Sequence, residues 1–157
     1  MVTPMTMAIA EPTDTNANQS VYKLFFLCED WAAREKALAL KESLASNCEG
    51  RVALEATFCS FARLCHPKLR EKARQDIEST DMFILSASGT HGLPMFVQQW
   101  LNTFSPPKKP MACAEFFQPG ISESFAHHFM ERWSRNMGTE FFSNCKGFAT
   151  GTLSQQT

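Results

Sequence analysis

Residues 81–104, DMFILSASGTHGLPMFVQQWLNTF, decide the predicted fold. Residues 82–85 form an uninterrupted apolar run, which is typical of a strand that is covered on both faces in a parallel sheet. Small residues follow, and Pro94 then stands where the first turn of a helix tolerates a missing N–H. Apolar residues recur at helical spacing on one side of the next segment: Leu93, Phe96, Val97, Trp100, Leu101 and Phe104. The segment therefore predicts a strand, a loop and a helix of an open α/β sheet.

Apolar segments on either side extend this unit to five predicted strands. Strands are predicted at residues 22–28, 51–58, 82–85, 111–117 and 140–145. Helical patterns separate them, so the order βαβαβαβαβ predicts a parallel sheet with right-handed crossovers and a three-layer α/β/α sandwich. Residues 51–58 alternate between apolar and polar, as an edge strand does, which favours the strand order 2-1-3-4-5. No pattern for a last helix follows the fifth strand.

The ends of the predicted helices carry recognisable signals. Asp30 is a candidate cap for the first helix, His66 and Pro67 open the second, and Ser122 or Ser124 caps the fourth. Gly138 suits the residue that ends the fourth helix. Four residues at four-residue spacing predict its buried stripe: Phe125, Phe129, Trp133 and Met137.

Length, charge and cysteine content restrict the classes of function. The 157 residues suit one domain, predicted over residues 21–146, with a disordered tail at 1–20 and a loose tail at 147–157. Lys and Arg total 15 and Asp and Glu total 16, so no overall field favours nucleic acid or a membrane surface as a partner. The six cysteines include no CxxC pair, which favours reduced thiols. Without a recognisable signal peptide or a membrane-spanning run, a cytoplasmic protein is expected.

Residues 81–100 resemble the flavodoxin-like superfamily, including its NAD(P)H-dependent flavin reductases. The resemblance rests on an acidic residue before an apolar strand, small residues at its end, a glycine-containing loop, and then Pro94, Val97, Gln98, Trp100 and Leu101. In that family the loop after the third strand contacts the isoalloxazine ring of FMN. The resemblance therefore implies a ligand loop formed by Ser86, Ser88, Thr90, His91 and Gly92.

The loop after the first strand differs from the flavodoxin pattern. That family binds the FMN phosphate with hydroxyl groups and bare backbone N–H groups at the start of a helix. In this chain the corresponding residues are Cys28, Glu29, Asp30, Trp31, Ala32 and Ala33. Two carboxylates oppose a phosphate dianion, and no glycine lets the backbone approach it. The sequence therefore argues against FMN held in the usual way.

The acidic pair Glu29 and Asp30 also resembles the magnesium site of phosphorelay receiver domains, which share this strand order. The resemblance implies a phosphate-accepting aspartate at the end of the third strand, where this chain has only Ser86 to Ser88, and a lysine after the fifth, where Lys146 stands. Normal phosphotransfer is therefore not expected. Two interpretations of the pair stay open, namely a Mg²⁺ site and a helix cap beside a solvated carboxylate.

Two hypotheses of function follow. The favoured one is a non-catalytic regulatory or interaction domain, similar to a degenerate receiver. It would bind a protein partner or form a homodimer through exposed aromatic residues such as Phe116, Phe117, Phe141 or Phe142. The alternative is an FMN-dependent NAD(P)H oxidoreductase with an atypical flavin site.

His91 is a candidate acid or base, but no Ser-His-Asp set, Walker loop or GxGxxG sequence is present. His127 and His128 are neighbours on a helix, so they point about 100° apart and do not converge on one ion.

Overall fold

The computed structural model describes residues 20–48, 50–121 and 124–145. Five parallel strands form one sheet, in the spatial order β2-β1-β3-β4-β5. In chain order the elements are β1 Ser20–Cys28, α1 Trp31–Cys48, β2 Val52–Ser60, a 3₁₀ helix Phe61–Cys65, α2 Pro67–Glu78, β3 Met82–Ser86, α3 Met95–Leu101, β4 Ala112–Phe116, α4 Phe125–Met137 and β5 Glu140–Ser143. The predicted order 2-1-3-4-5 is confirmed, and the fold is flavodoxin-like.

The two faces of the sheet carry different numbers of helices. The larger core contains buried residues of α2, α3 and α4 together with Phe25, Phe83 and Cys113 of the sheet. The smaller core lies on the opposite face, where α1 contributes Ala33 and Ala37. These small side chains let the helix lie close to the strands. The three-layer arrangement follows from strands that are apolar on both faces.

Part of the face that α1 covers forms a groove. It has a volume of about 640 Å³ and lies between α1 and the ends of β4 and β5, with Leu40, Phe116, Pro119 and Asn144 in its lining. Among the described residues no helix follows β5. Residues 146–157, on which the predicted absence of a last helix falls, lie outside the described residues, as do residues 1–19 of the predicted tail.

Helix α4 confirms its predicted ends and corrects its predicted buried face. Ser124 Oγ accepts a hydrogen bond from His127 N at 3.2 Å, and Gly138, with φ of 72°, ends the helix. Phe125, however, is exposed, while His127 is buried. A helix advances 100° per residue, so each four-residue step rotates the stripe by about 40° and three steps move Phe125 well away from the direction of Met137.

Two other segments differ locally from the predictions. Strand β2 continues to Ser60, two residues beyond its predicted end, and residues 61–65 then form a 3₁₀ helix that buries Phe61 and Leu64. Helix α3 has seven residues and ends at Leu101, before the last apolar position of its pattern. Phe104 still packs edge-on against Trp100, with ring centroids 4.9 Å apart.

In the described part of the chain, no helix has the length and apolarity that crossing a membrane requires.

Two buried tryptophans allow a test of the larger core. Trp133 Nε1 donates to Leu101 O at 2.8 Å, whereas Trp100 Nε1 has no acceptor among the described residues. Both substitutions Trp133→Phe and Trp100→Phe remove similar volume, but only the first removes a hydrogen bond, and the second removes an unpaired buried N–H. We expect Trp133→Phe to lower the free energy of unfolding by about 2 kcal/mol more than Trp100→Phe, measured by urea denaturation. Equal losses would contradict this assignment.

Candidate functional site

Glu29 joins the carboxyl ends of the two central strands, β1 and β3. Its backbone N–H donates to Ser86 O at 2.9 Å. Its carboxylate Oε1 accepts a hydrogen bond from Ser88 N at 2.8 Å. In a doubly wound sheet this is the switch point where ligands usually bind. Here the Glu29 carboxylate takes up one of the backbone N–H donors at this edge.

Asp30 has a different role from that of its neighbour. Its Oδ1 accepts from Ala33 N at 2.9 Å, and its carbonyl oxygen accepts from Arg34 N at 3.0 Å. Asp30 is therefore the cap of α1, as predicted. Glu29 and Asp30 are held by backbone donors of different segments, and the predicted Mg²⁺ site at this pair stays a prediction.

The predicted ligand loop after β3 divides into a buried start and an exposed end. Ser86 is buried, and its Oγ donates to Ala33 O at 2.9 Å. Ser88 Oγ and Thr90 Oγ1 lie 3.0 Å apart. Thr90, His91 and Gly92 are exposed to solvent. The loop is thus positioned at the predicted edge, and contact with a flavin ring stays a prediction.

Large apolar side chains also lie at this edge of the sheet. The first residues of α1, α3 and α4 are Trp31, Met95 and Phe125, with exposed fractions of 68%, 64% and 85%. Helices that follow parallel strands begin at the same edge of the sheet. We call these three residues the helix-start rim. Exposed apolar residues collected at one edge are typical of an interaction surface. The aromatic residues predicted at such a surface differ from these, and the prediction is wrong for Phe117, which is buried, whereas Phe142 is half exposed.

A pocket of about 390 Å³ adjoins Trp31 between the ends of β1 and β2. Arg34 and Arg63 contribute its cationic groups. Glu29 and Asp30 also line it, and each of these carboxylates accepts a hydrogen bond from a backbone N–H. The Arg34 guanidinium lies 5.3 Å from the centre of the Trp31 ring and 5.4 Å from that of Phe58. No ion pair involves either arginine within the described ranges. The pocket can therefore accept an acidic group beside an aromatic surface.

A second cluster is buried between β4, β5 and α4. Glu115 Oε2 contacts His127 Nδ1 and accepts a hydrogen bond from Ser143 Oγ at 2.6 Å. Cys145 is fully buried beside them, and its backbone N donates to Ser143 Oγ at 2.8 Å. One potential ligand atom from each of Glu115, His127 and Cys145 lies within 4.8 Å of the others.

Strand alternation and sheet register build this cluster. Along β4, Cys113 and Glu115 face the larger core, while Ala114 and Phe116 face the smaller one. Parallel pairing places Ser143 beside Glu115, and His127 comes from the first turn of α4. Burial raises the pKa of Glu115 to about 7, while the hydrogen bonds from Ser143 and His127 act in the opposite direction.

The sequence did not point to this cluster because its members are far apart in the chain. His127 and His128 are adjacent in the sequence, but the structure buries the first and exposes the second. One signal was available, namely an ionisable residue within the otherwise apolar strand that contains Glu115. Its partners depend on the register of β4 and β5, which the sequence pattern did not specify.

Comparison with protein-family models, curated proteins and solved structures finds no match to this chain. The assignment of a flavodoxin-like fold therefore depends on the sheet topology. The carboxyl edge, where the parallel strands have their carboxyl ends, is interpreted from the contacts described above.

The loop after β3 requires glycine at position 89. Gly89 has φ of +83°, and a Cβ there would lie 2.7 Å from Cγ of the buried Phe117. Gly50 has φ of +77° but open space around it, so Gly50→Ala serves as the control. We expect Gly50→Ala to cost about 1 kcal/mol of unfolding free energy and Gly89→Ala about 2 kcal/mol more, since only the latter adds a clash. Equal losses in urea denaturation would contradict the close contact.

The raised pKa of the Glu115 carboxyl predicts that the stability of the metal-free protein depends on pH. Its pKa rises from an ordinary value of 4.5 to about 7 on folding, with His127, Glu131 and Cys113 as the neighbouring titratable groups. Between pH 4.5 and 7 the carboxyl of Glu115 is ionised in the unfolded chain but still protonated in the folded one. The unfolded chain therefore binds fewer protons, and the free energy of unfolding falls as the pH rises. We expect wild type to lose roughly 3 kcal/mol relative to Glu115→Gln between pH 4.5 and 7. Denaturation with a chelator present measures this, and parallel pH profiles would contradict it.

Proposed function

We propose that this protein is a non-catalytic regulatory or interaction domain that binds a protein partner at the carboxyl edge of its sheet. The helix-start rim is the observation that carries the proposal. Trp31, Met95 and Phe125 each expose more than half of their surface at the edge where flavodoxin-like folds bind ligands. Aromatic and methionine side chains are enriched at the centres of protein interfaces.

The polar groups behind the rim support binding of a protein rather than a cofactor. Glu29 accepts the Ser88 N–H, and Ser86 Oγ donates to a carbonyl of α1. A cofactor phosphate at this position would have to displace the Glu29 carboxylate and overcome its charge. These internal bonds give the edge a fixed shape, and a preformed surface reduces the entropy lost on binding.

The charges near the rim favour a partner segment with acidic and apolar side chains. Glu29 and Asp30 already accept backbone hydrogen bonds, whereas Arg34 and Arg63 form no ion pairs within the described ranges. An acidic side chain could pair with either guanidinium while an apolar neighbour covers Trp31. A second copy would present the same arginines together with carboxylates that already accept backbone hydrogen bonds, so an acidic segment of a different protein is the more favourable occupant.

Selection of peptides from a displayed random library on the immobilised full-length chain tests this proposal. We expect enrichment of peptides that combine Asp or Glu with large apolar residues. Their affinity should fall at least tenfold for Trp31→Ser and for Arg34→Gln, because each removes one side of the binding surface. Val21→Thr is the matched control, since Val21 is exposed near the opposite end of β1 and should leave the affinity unchanged.

Three results would contradict the proposal. The first is peptide binding that is insensitive to Trp31→Ser, and the second is a dimer by light scattering that requires the same residue. The third is quenching of FMN fluorescence by the protein, which would favour the FMN-dependent NAD(P)H oxidoreductase. Loss of that quenching in variants of Thr90 or His91 would then locate the flavin at the loop after β3.

A further inference from the structure

We propose that Glu115, His127 and Cys145 form a binding site for a transition-metal ion of the Zn²⁺ type. The three side chains come from β4, from α4 and from the residues that follow β5. All three are buried, and their potential ligand atoms lie within 4.8 Å of one another. The site is separate from the helix-start rim and does not depend on the proposed interaction function.

The donor set selects the class of metal. A carboxylate oxygen, an imidazole nitrogen and a cysteine sulfur are all ligands of Zn²⁺, at distances of about 2.0–2.3 Å. Tetrahedral coordination at these lengths places the ligand atoms about 3.5 Å apart. The potential ligand atoms lie within 4.8 Å of one another, so small side-chain rotations would bring them to that separation. Ca²⁺ and Mg²⁺ are excluded as natural occupants because they prefer oxygen ligands throughout.

An unpaired buried oxygen independently points to a ligand in this cluster. Glu115 is only 3% exposed, and its Oε1 has no hydrogen-bond donor among the described residues. The other carboxylate oxygen, Oε2, is already in contact with His127 and Ser143. Leaving a buried acceptor unsatisfied is costly, and a cation bound to Oε1 would remove that cost.

Charge balance also suits a divalent ion at a buried position. With Glu115 ionised, Cys145 as thiolate and His127 neutral, the protein ligands carry two negative charges, which a Zn²⁺ ion neutralises. A neutral assembly avoids the large penalty of an isolated charge in the protein interior. Three protein ligands leave one tetrahedral position for water.

Ser143 has the position of a supporting residue. Its Oγ donates to Glu115 Oε2 and accepts from Cys145 N, so one hydroxyl contacts the segments that carry two of the three ligands. Hydrogen bonds of this kind orient metal ligands, and their loss typically weakens metal binding about 10- to 100-fold.

Titration of the reduced, chelator-treated full-length protein with Co²⁺ tests the site, because a cobalt–thiolate bond has a charge-transfer absorption. We expect this band to saturate at one equivalent and to disappear when Zn²⁺ is added. Cys145→Ser should abolish the band, and His127→Gln should weaken Co²⁺ binding more than about 100-fold. Ser143→Ala keeps all three ligands and should weaken it about 10- to 100-fold.

Two matched controls separate this site from the surface. His128→Gln alters the exposed neighbour of His127, and Cys65→Ser alters an exposed cysteine that is adjacent to His66. Both should bind Co²⁺ like the wild type. Zn²⁺ should also raise the midpoint of thermal unfolding of wild type but not of Cys145→Ser. Circular dichroism of the metal-free variants shows whether each is folded, and Ser143→Ala supplies the test if Cys145→Ser is not.

The proposal would be overturned by the absence of a charge-transfer band in the wild type. A band that survives in Cys145→Ser but is lost in Cys65→Ser would also overturn it, because the metal would then bind at the surface. Co²⁺ affinity that Ser143→Ala leaves unchanged would overturn it as well, because a metal ion held by Glu115 and Cys145 depends on the hydroxyl that contacts both of their segments.

Discussion

Burial of β1 on both faces is the constraint on which both hydrophobic cores depend. Phe25 and Leu27 point to the core beneath α2, α3 and α4, while Leu24, Phe26 and Cys28 point to the core beneath α1. The strand also carries the pairing of the sheet, since it joins β2 on one side and β3 on the other. A polar residue on either face of β1 would therefore damage one core and weaken the support of the carboxyl edge.

The carboxyl edge inherits its geometry from this central strand. Because β1 and β3 end side by side, with Cys28 opposite Ser86, the next residue, Glu29, reaches the loop after β3. The same parallel arrangement puts the first residues of α1, α3 and α4 at one end of the molecule. At this edge the side chains of Glu29 and Ser86 are hydrogen-bonded to backbone groups, whereas the apolar residues of the rim face solvent. This combination is the basis for proposing a protein partner at this edge.

Local patterns in the sequence were sufficient for the fold but not for the buried cluster. The apolar run of β3, the cap at Ser124 and the positive-φ residue Gly138 are recognisable from a few neighbouring residues, and each was predicted. Strand order followed from the alternation in β2. The approach of Glu115 to His127 and Cys145, in contrast, depends on sheet register and on the rotation of α4. The rotation of α4 also explains why the prediction of a buried Phe125 is wrong, since a four-residue stripe drifts around the helix.

The position of β1 between β2 and β3 also affects how the chain folds. Lys23 N donates to Asp81 Oδ2, and these residues are separated by 58 positions in the chain. Pairing of the central strands must therefore wait until two helical crossovers have been closed, which favours slow folding. Until then both apolar faces of YKLFFLC stay accessible to other chains. Aggregation during synthesis is consequently expected to begin at this strand, whose residues 24–28 are all buried in the native protein.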